Sequence, residues 1–503
     1  MNCLRHVLVM VAVGLAAVVG RAQAPLRTTQ LVIVVDGLRP DYVTPAVMPR
    51  LHALGQRGIV FNAHHSVFPT VTRVNGSSFV TGAYPEAHGL MGNVIYVPKA
   101  NATKTLDTGQ RENLELVERA EGRLLTAPTL SEILRPAGKT LLAVSSGSSG
   151  SALLLNHTLA TGGIVHYDFV RPPALAQRAA SMLGPAPPQA TPNDGRNNYA
   201  VDAYLKLGLD EVHPDVTFMW LNDPDGTAHA NGIGTPLTLK SLSLVDAAIG
   251  RIEDTLRSKG LLDRTNVIVT SDHGFSTHTG EWKLGELVAP FARPLPDGTP
   301  DLIVAEGAIH FRAAVDRNRV AAIVAALQKR PAVGAIFTRP HPGGGPDGII
   351  SGTLSFDLAR WNHPTRSGEI LVSANWTAAK NAAGVEGTTT DGGVAGHGAS
   401  SPFDVHNTLI AVGPDFREHA TSAVPTGTVD VAPTLLRLVG VTVPASMAGR
   451  VIAEGFKTGP AVSSVLITHS TAVARTPDKS YTVTAYFSSA AGKRYLDYTT
   501  VTR

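Results

Sequence analysis

Three aspartates and three histidines stand just after apolar runs or beside glycines, where a chain can turn. Carboxylates and imidazoles are ligands that zinc accepts in proteins. Six such ligands are too many for one tetrahedral ion, whereas two ions would share them and each keep a position open to a substrate. The pattern therefore predicts a two-zinc site. The six residues are Asp36, Asp225, His229, Asp272, His273 and His397.

Each part of this set is weak evidence when taken alone. Asp36 precedes a glycine, which is most often a turn, and Asp225 and His229 are spaced as on any solvated helix face. The dipeptide Asp272–His273 is the strongest single signal, because two ligands are adjacent and the next glycine frees the backbone. The order of all the parts along the chain makes coincidence a poor explanation.

Four apolar runs must position these ligands. They are Leu31–Val35, Val216–Leu221, Val267–Val269 and Leu409–Val412. Unbroken apolar runs of this length are typical of strands that are covered on both faces. Because helical patterns separate them, we expect an α/β fold with a mostly parallel central sheet flanked by helices. The ligands would lie at one edge of that sheet, where open α/β sheets place their sites.

One helical pattern is long enough to define a face. Apolar residues recur every three or four positions between residues 239 and 256, which predicts one buried stripe. The stripe consists of Leu239, Leu242, Val245, Ile249, Ile252 and Leu256.

The chain also divides by composition. Residues 28–279 and 393–456 carry the strand and helix alternation and are predicted to form the catalytic core. Residues 280–392 read as a small α+β cap insertion, and residues 460–503 alternate like a C-terminal β-hairpin.

Bulk composition restricts the function classes. Of the 503 residues, 43% are hydrophobic and 17% are charged, which is enough apolar material for a large core. The formal charge of +3 gives no reason to expect specific binding of nucleic acid.

The N-terminus, residues 1–24, has the pattern of an export signal. Arg5 precedes an apolar run, and the small residues that end at Ala24 form a cleavage site. The run is shorter than the roughly 20 residues of a spanning helix, and an uncleaved anchor is the alternative. The only cysteine, Cys3, lies inside this signal. We therefore expect a periplasmic or secreted protein with no disulfide and no membrane anchor after cleavage.

In order along the chain, the motifs "VVDGLRPDY", "FPTVTRVN", "VTGAYPEAHGLMGN", "DPDGTAH", "SDHG" and "GHGASSPFDVHNTLIAVGPDF" resemble the nucleotide pyrophosphatase/phosphodiesterase branch of the alkaline phosphatase superfamily. The resemblance runs from about residue 28 to residue 452 and implies an alkaline-phosphatase-like core. It is specific for the superfamily and less so for the substrate.

The resemblance also implies roles. Thr72 matches the family's nucleophile, Thr70 a flanking structural position, and Asn93 the residue that binds a phosphoryl oxygen. One zinc ion would be held by Asp225, His229 and His397, and the other by Asp36, Asp272, His273 and Thr72.

Chemistry supports these roles. A threonine hydroxyl is a weak nucleophile near neutral pH, and coordination to a dication would stabilise its alkoxide. Phosphoryl transfer needs mainly positioning and charge stabilisation. Asn93 and the backbone N–H after Thr72 would hold a non-bridging oxygen, and the intermediate would be a phosphorylated threonine.

One position departs from the family pattern. Arg73-Val74 follows the nucleophile, where the branch commonly has Phe-Pro or Asn-Pro. Arg73 would either bind an extra phosphate charge or point outward and pair with a loop carboxylate.

We therefore expect a phosphodiesterase or nucleotide pyrophosphatase that acts on small phosphate esters. A phosphomonoesterase or phosphonate hydrolase at the same site is the alternative, and a catalytically inactive binding protein is a more distant one. A sulfatase is disfavoured, because those enzymes modify a cysteine or serine where this chain has Thr72.

Overall fold

The computed structural model describes residues 28–280 and 283–503. The predicted export signal, residues 1–24, lies outside these residues. Among the residues that are described, no helix is both long enough and apolar enough to cross a membrane.

Within the described residues, twenty-six strands are distributed over six sheets. In chain order they are β1 (Thr29–Val35), β2 (Ile59–Phe61), β3 (His64–His65), β4 (Val94–Ile95), β5 (Leu106–Asp107), β6 (Leu141–Ser145), β7 (Gly163–His166), β8 (Val170–Arg171), β9 (Val216–Leu221), β10 (Thr265–Thr270), β11 (Ser276–His278), β12 (Leu302–Ala305), β13 (Ala308–Phe311), β14 (Val333–Thr338), β15 (Leu354–Ser355), β16 (Ile370–Ala374), β17 (Trp376–Lys380), β18 (Glu386–Thr389), β19 (Ala395–Gly396), β20 (His406–Asn407), β21 (Leu409–Val412), β22 (Ala420–Ser422), β23 (Thr426–Gly427), β24 (Ile467–Arg475), β25 (Thr482–Ala490) and β26 (Lys493–Thr502).

Fourteen α-helices accompany them in the described part of the chain, together with a π-helix over Ala203–Val212. They are α1 (Pro49–Arg57), α2 (Thr72–Thr81), α3 (Pro85–His88), α4 (Arg111–Glu121), α5 (Leu130–Leu134), α6 (Ser149–Leu154), α7 (Pro173–Leu183), α8 (Asp194–Asp202), α9 (Asp225–Asn231), α10 (Pro236–Ser258), α11 (Leu284–Val288), α12 (Arg317–Gln328), α13 (Pro402–Val405) and α14 (Val431–Leu438).

The central sheet has nine strands in the order β22-β2-β21-β10-β1-β9-β6-β7-β8. Its middle, from β10 to β7, is parallel throughout. Successive residues of β1 enter different cores, since Val32 and Val34 pack into one and Leu31, Ile33 and Val35 into the other. The sheet is therefore covered on both faces, and the predicted mostly parallel α/β fold is confirmed.

All four predicted strands are present, but β21 runs opposite to its neighbour β10. Leu409, its first residue, pairs with Thr270, the last residue of β10. The chain before β21 therefore lies at the same edge as the carboxyl ends of the parallel strands. This orientation brings residues that precede β21 to the predicted site.

The stripe predicted for α10 is correct except at Leu239, which is 37% exposed. The other five residues of the stripe are buried. At 3.6 residues per turn, Leu239 points about 100° away from their mean direction, so it lies at the edge of the buried face.

The region predicted as an insertion contains a separate five-stranded sheet, in the order β12-β13-β16-β14-β15, with α12 beside it in sequence. At the C-terminus the predicted hairpin corresponds to β25 and β26. A further strand, β24, pairs antiparallel with β25, so this end of the chain is a three-stranded sheet.

Candidate active site

The ligands predicted from the sequence meet at the carboxyl edge of the central sheet. Asp36 directly follows β1, Asp225 begins α9 after β9, and Asp272 lies two residues beyond β10. His397 reaches the same edge from the chain that precedes β21. The helical spacing of α9 places His229 one turn after Asp225.

One ligand cluster consists of Asp225, His229 and His397. Asp225 Oδ1 lies 3.1 Å from His229 Nε2 and 3.3 Å from His397 Nε2, and the two nitrogens are 3.3 Å apart. Ligands on a tetrahedral ion are about 3.3 Å apart when the ligand bonds are about 2.0–2.1 Å. The His229 side chain is 45% exposed, so this cluster is open to solvent.

The second cluster surrounds His273 and is buried. His273 Nε2 lies 3.0 Å from Asp272 Oδ2, 3.5 Å from Asp36 Oδ1 and 3.2 Å from Thr72 Oγ1. The threonine that matches the family's nucleophile therefore shares a cluster with the three ligands to which the resemblance assigned it.

The three histidines have the same tautomer, set by the backbone. Each donates its Nδ1–H to a carbonyl oxygen, which leaves the Nε2 lone pair facing the cluster. The pairs are His229 with Ala395 at 3.0 Å, His397 with Thr70 at 2.8 Å and His273 with Gly274 at 2.9 Å.

The carboxylates are oriented in a similar way. Asp36 Oδ2 accepts from Trp220 Nε1 at 2.9 Å, and Asp272 Oδ1 accepts from the Gly37 N–H at 3.1 Å. Asp36 Oδ1, Asp225 Oδ1 and Asp272 Oδ2 are buried and have no hydrogen-bond partner among the described residues. Imidazole nitrogens that face these carboxylate oxygens need either a proton on Nε2 or a metal cation between them, because a bare lone pair would repel a carboxylate.

The pKa values show that these clusters attract positive charge: against the effect of burial, the charge of Asp225 raises the pKa of His229 to about 9, and that of Asp272 raises the pKa of His273. Burial, with the nearby charges of Asp225 and Asp272, raises the pKa of Asp36 well above its usual range. The His273 and His397 rings stack with centroids 3.4 Å apart, so the two clusters are adjacent. The residues present therefore fit two divalent ions, each in its own cluster.

Thr72 is the first residue of α2 and is buried. The positive end of the helix dipole favours an anion at this position. Asn75 braces the approach to the helix, because its Oδ1 accepts from the Val67 N–H at 2.8 Å and its Nδ2 donates to Val67 O and Val71 O. The hydroxyl is thus presented by a rigid turn.

Asn93 lies beside the nucleophile but bonds differently from the prediction. The backbone N–H of Arg73, expected to face a phosphoryl oxygen, donates to Asn93 Oδ1 at 3.0 Å. A free N–H buried at this point would be costly, and Asn93 supplies its partner. Because Oδ1 is the acceptor in this bond, the Nδ2 of Asn93 lies on the opposite side of the amide.

The Arg73 side chain pairs with a loop carboxylate but lies close to the ligand clusters. Its Nη2 lies 3.6 Å from Asp107 Oδ1, and its Nε donates to Thr108 Oγ1 at 3.4 Å. It therefore pairs with a loop carboxylate, as the outward alternative requires. Yet it is only 17% exposed, and its positive charge lowers the pKa of Asp36 against the larger effect of burial.

Glu306 is a residue at the site that sequence analysis missed. It lies in the turn between β12 and β13 with φ of +56°. Its Oε2 accepts from the backbone N–H groups of Asn93 at 2.6 Å and Val94 at 3.4 Å. Although Glu306 is an exposed residue, the protein around its carboxylate partly desolvates it and raises its pKa, and the charge of Arg73 opposes this shift. No sequence pattern marked it, because only the tertiary fold brings this hairpin to Asn93.

A family model described as type I phosphodiesterase / nucleotide pyrophosphatase matches residues 30–379. Human ectonucleotide pyrophosphatase/phosphodiesterase family member 5 is 24% identical over 82% of this chain and 74% of its own length. Human family member 1 is 27% identical over 54% of this chain, but the match spans only 27% of that longer protein.

Two solved structures of murine family member 5 show a similar fold. Each has a TM-score of 0.57 and covers 83% of this chain and 96% of the murine chain, with 19% and 20% sequence identity. One of them is an inactive variant with a threonine-to-alanine substitution, in complex with AMP.

Proposed function

This chain belongs to the type I phosphodiesterase / nucleotide pyrophosphatase family, within the alkaline phosphatase superfamily, and we propose that it is a two-zinc hydrolase of phosphate diesters that forms a covalent intermediate on Thr72. Asp225, His229 and His397 would hold one ion, and Asp36, Asp272 and His273 the other. Bound zinc would supply the positive charge that stabilises a threonine alkoxide and neutralises phosphoryl oxygens.

The observation that carries the proposal is the position of Thr72 Oγ1. It lies 3.2 Å from His273 Nε2, so the hydroxyl points into a ligand cluster and not into the helix. Its place at the N-terminus of α2 adds the positive end of the helix dipole, which would favour an anionic phosphoryl group. These positions support Thr72 as a nucleophile beside ions that would stabilise its alkoxide.

The reaction proceeds in two displacements. In the first, Thr72 Oγ forms a bond to phosphorus while the bond from phosphorus to one ester oxygen breaks. The threonine hydroxyl loses a proton in this step, and the leaving alkoxide takes up a proton. In the second, water attacks the phosphorylated threonine, and the threonine oxygen departs and is reprotonated. One product is a phosphomonoester. The other is an alcohol, or a phosphate where the substrate is a pyrophosphate.

Asn93 would orient the substrate in both steps. Since its Oδ1 is held by the Arg73 N–H, its Nδ2 is the donor left for a non-bridging oxygen. Such preorganised donors act where charge develops in the transition state.

The substrate class follows from charge as well as from the family. Glu306 adds a carboxylate beside Asn93, and the positive charge of Arg73 is partly countered by Asp107. A singly charged diester suits these surroundings better than a phosphate dianion. The AMP bound by the murine relative makes nucleotide diesters the first substrates to test.

Hydrolysis of bis-p-nitrophenyl phosphate by the full chain, compared with p-nitrophenyl phosphate, tests this proposal. We expect turnover of the diester, its loss with a chelator and its return with Zn²⁺. A chain that holds two ions in this site yet hydrolyses neither ester would instead be a binding protein.

A phosphomonoesterase or phosphonate hydrolase is the second candidate. The observation that favours it is the low exposure of Arg73, which keeps a guanidinium close to the clusters. A higher kcat/KM on the monoester or on phosphonoacetate than on the diester would select this alternative.

Two proposals go beyond the active site, and the first is export from the cytoplasm, based on the pattern of residues 1–24. We also propose that the chain divides into a core (28–279 with 393–456), a cap (280–392) and an extension (460–503). N-terminal sequencing of the mature protein tests the first, since cleavage would leave a new terminus after Ala24.

A further inference from the structure

His65, outside the active site, has the same arrangement as the three predicted zinc-binding histidines. Its Nδ1–H donates to the carbonyl oxygen of Thr426 at 2.8 Å. Its Nε2 lies 2.8 Å from Asp497 Oδ1. The His65 side chain is 2% exposed, and its Nε2 lies at hydrogen-bond distance from the Asp497 oxygen. Either a proton on Nε2 or a bound cation would hold these two groups together.

Asp497 is presented to His65 by an irregularity of the C-terminal sheet. In the pairing of β25 with β26, Tyr486 faces Tyr498 and Phe487 faces Leu496, which leaves Asp497 without a cross-strand partner. Such bulges redirect a side chain and are common beside functional sites. Ser488 Oγ donates to the same carboxylate oxygen at 2.7 Å, which orients it as the Gly37 and Trp220 donors orient the ligands of the active site.

His406 supplies a third ligand atom at the same point. The ligand atoms of His65, His406 and Asp497 all lie within 4.8 Å of one another. A proton shared by His65 and Asp497 would satisfy only two of these three groups. A divalent ion would satisfy all three, as in the two clusters of the active site.

These residues line a cleft of about 790 Å³ between the C-terminal sheet and the core. Among the described residues that line it, His469 is the only further imidazole or carboxylate. His469 pairs with Ser488 in the C-terminal sheet, so it stands on the strand next to the one that orients Asp497. The cleft therefore has room for an ion, and His469 lines the same cleft.

We propose that His65, His406 and Asp497 bind a third divalent cation of the zinc class, separate from the two catalytic ions. Two imidazoles and one carboxylate are a donor set that zinc accepts, with water or His469 in the fourth position. The ion would join the last strand, β26, to strands β3 and β20 of the core.

The position of these strands gives the ion a structural role. Ser66, next to His65, donates its hydroxyl to Asp272 O at 2.7 Å, and Asn407, next to His406, donates to Ser271 O at 2.7 Å. Both neighbours thus hold the backbone that carries two catalytic ligands. The third ion would stabilise the folded chain without touching the reacting atoms.

The test compares the zinc content and the melting temperature of the full chain with those of Asp497→Asn. Asparagine has nearly the same shape as aspartate and can still form hydrogen bonds, but it lacks the negative charge of the carboxylate ligand. After exposure to Zn²⁺ and removal of free metal, we expect three ions per chain in the wild type and two in Asp497→Asn. The third ion should bind at least about tenfold more weakly in the variant, while diester turnover stays within about twofold. Zinc should also raise the melting temperature of the wild type more than that of the variant.

Ser488→Ala is the matched control, because it removes a hydrogen bond to Asp497 and no ligand, so it should keep three ions. If Asp497→Asn does not fold, titration of the wild type with Co²⁺ decides, since a third equivalent must bind after activity has reached its maximum. Equal metal content in wild type and Asp497→Asn, or only two equivalents of Co²⁺, would overturn the proposal and leave a hydrogen-bonded ion pair.

Discussion

Two threonines two residues apart, Thr70 and Thr72, have different tasks in the structure. Thr72 Oγ1 faces His273, whereas Thr70 Oγ1 donates to Ala399 O at 2.8 Å and accepts from the Gly398 N–H at 3.1 Å. Thr70 thus fixes the loop that carries His397, whereas the Thr72 hydroxyl faces the ligand cluster.

Thr72→Ala should therefore lower kcat on a diester by more than about 10³-fold, which corresponds to about 4 kcal/mol of activation free energy. Metal content should be nearly unchanged. Thr70→Ala should lower the free energy of unfolding by about 1–3 kcal/mol, because a buried donor and acceptor lose their partner, and should reduce kcat far less. Steady-state kinetics with metal analysis measures both. A dead Thr70→Ala with an active Thr72→Ala would show that the nucleophile is misassigned.

Arg73 should discriminate between substrates by charge. A monoester carries close to two negative charges near neutral pH and a diester one, so the guanidinium should assist the monoester more. Arg73→Ala should reduce kcat/KM for a monoester by about one to two decades, from a charge-assisted bond of roughly 1.5–3 kcal/mol. The loss on a diester should be much smaller, and Arg73→Lys should restore only part.

Asp107→Asn is the control for Arg73, since it removes the competing ion pair and leaves the arginine in place. We expect it to raise, or leave unchanged, the rate on the monoester. Equal losses on both esters in Arg73→Ala would mean that Arg73 only supports the Thr72 turn.

At the scale of elements, the β12–β13 hairpin reaches from the cap region into the site through Glu306. Glu306→Gln keeps an acceptor for the Asn93 N–H and removes the negative charge. The ratio of kcat/KM for monoester over diester should rise a few-fold, because repulsion of the second phosphate charge is relieved. Glu306→Ala should lower the rates on both esters, since the Asn93 N–H loses its partner. An unchanged ratio in Glu306→Gln would exclude an electrostatic role for this hairpin.

The segment that follows α14 is held by a buried ion pair. Arg450 and Glu454 form two hydrogen bonds of 2.6 and 2.8 Å, and their side chains are 6% and 2% exposed. Arg450 also contacts the hydroxyl of Tyr495 in β26 at 3.2 Å. The pair therefore lies where the core meets the C-terminal sheet.

Arg450→Met should lower the free energy of unfolding by about 3–5 kcal/mol, because it leaves a buried, uncompensated carboxylate. The double variant Arg450→Met/Glu454→Leu should recover part of that loss, since Glu454 no longer leaves an unpaired charge, whereas the buried Asp430 still lacks the charge of Arg450. Denaturant unfolding monitored by fluorescence measures both. Additive losses in the double variant would contradict this account.

At the scale of the whole molecule, the active site accumulates negative charge that bound metal must offset. Chelation should abolish diester turnover and lower the melting temperature, because the unpartnered oxygens of Asp36, Asp225 and Asp272 then lack a cation. Ions present at 100 times their dissociation constant contribute about 2.7 kcal/mol each. Activity should return after two equivalents of Zn²⁺, as measured by titration of the chelated protein. Recovery with one equivalent would contradict a two-ion centre.

The sequence by itself determined the core of the fold. Unbroken apolar runs such as Val216–Leu221 are strands with the predicted bounds. A strand that is buried on both faces is apolar at every position, so its ends are visible in the sequence. The sequence also indicated which carboxylates and imidazoles come together, since side chains that follow such strands meet at the sheet edge. That they bind metal stays a prediction. The roles of single residues, Thr72 included, stay predictions.

Only the tertiary structure decided which side chains from distant parts of the sequence contact one another. The antiparallel direction of β21, the reach of Glu306 and the pairing of Arg73 with Asp107 depend on contacts between residues far apart in sequence. His65, His406 and Asp497 are separated by up to 432 residues, and no local pattern joins them. Local sequence sets which groups a segment can offer, but packing sets which distant group each one meets.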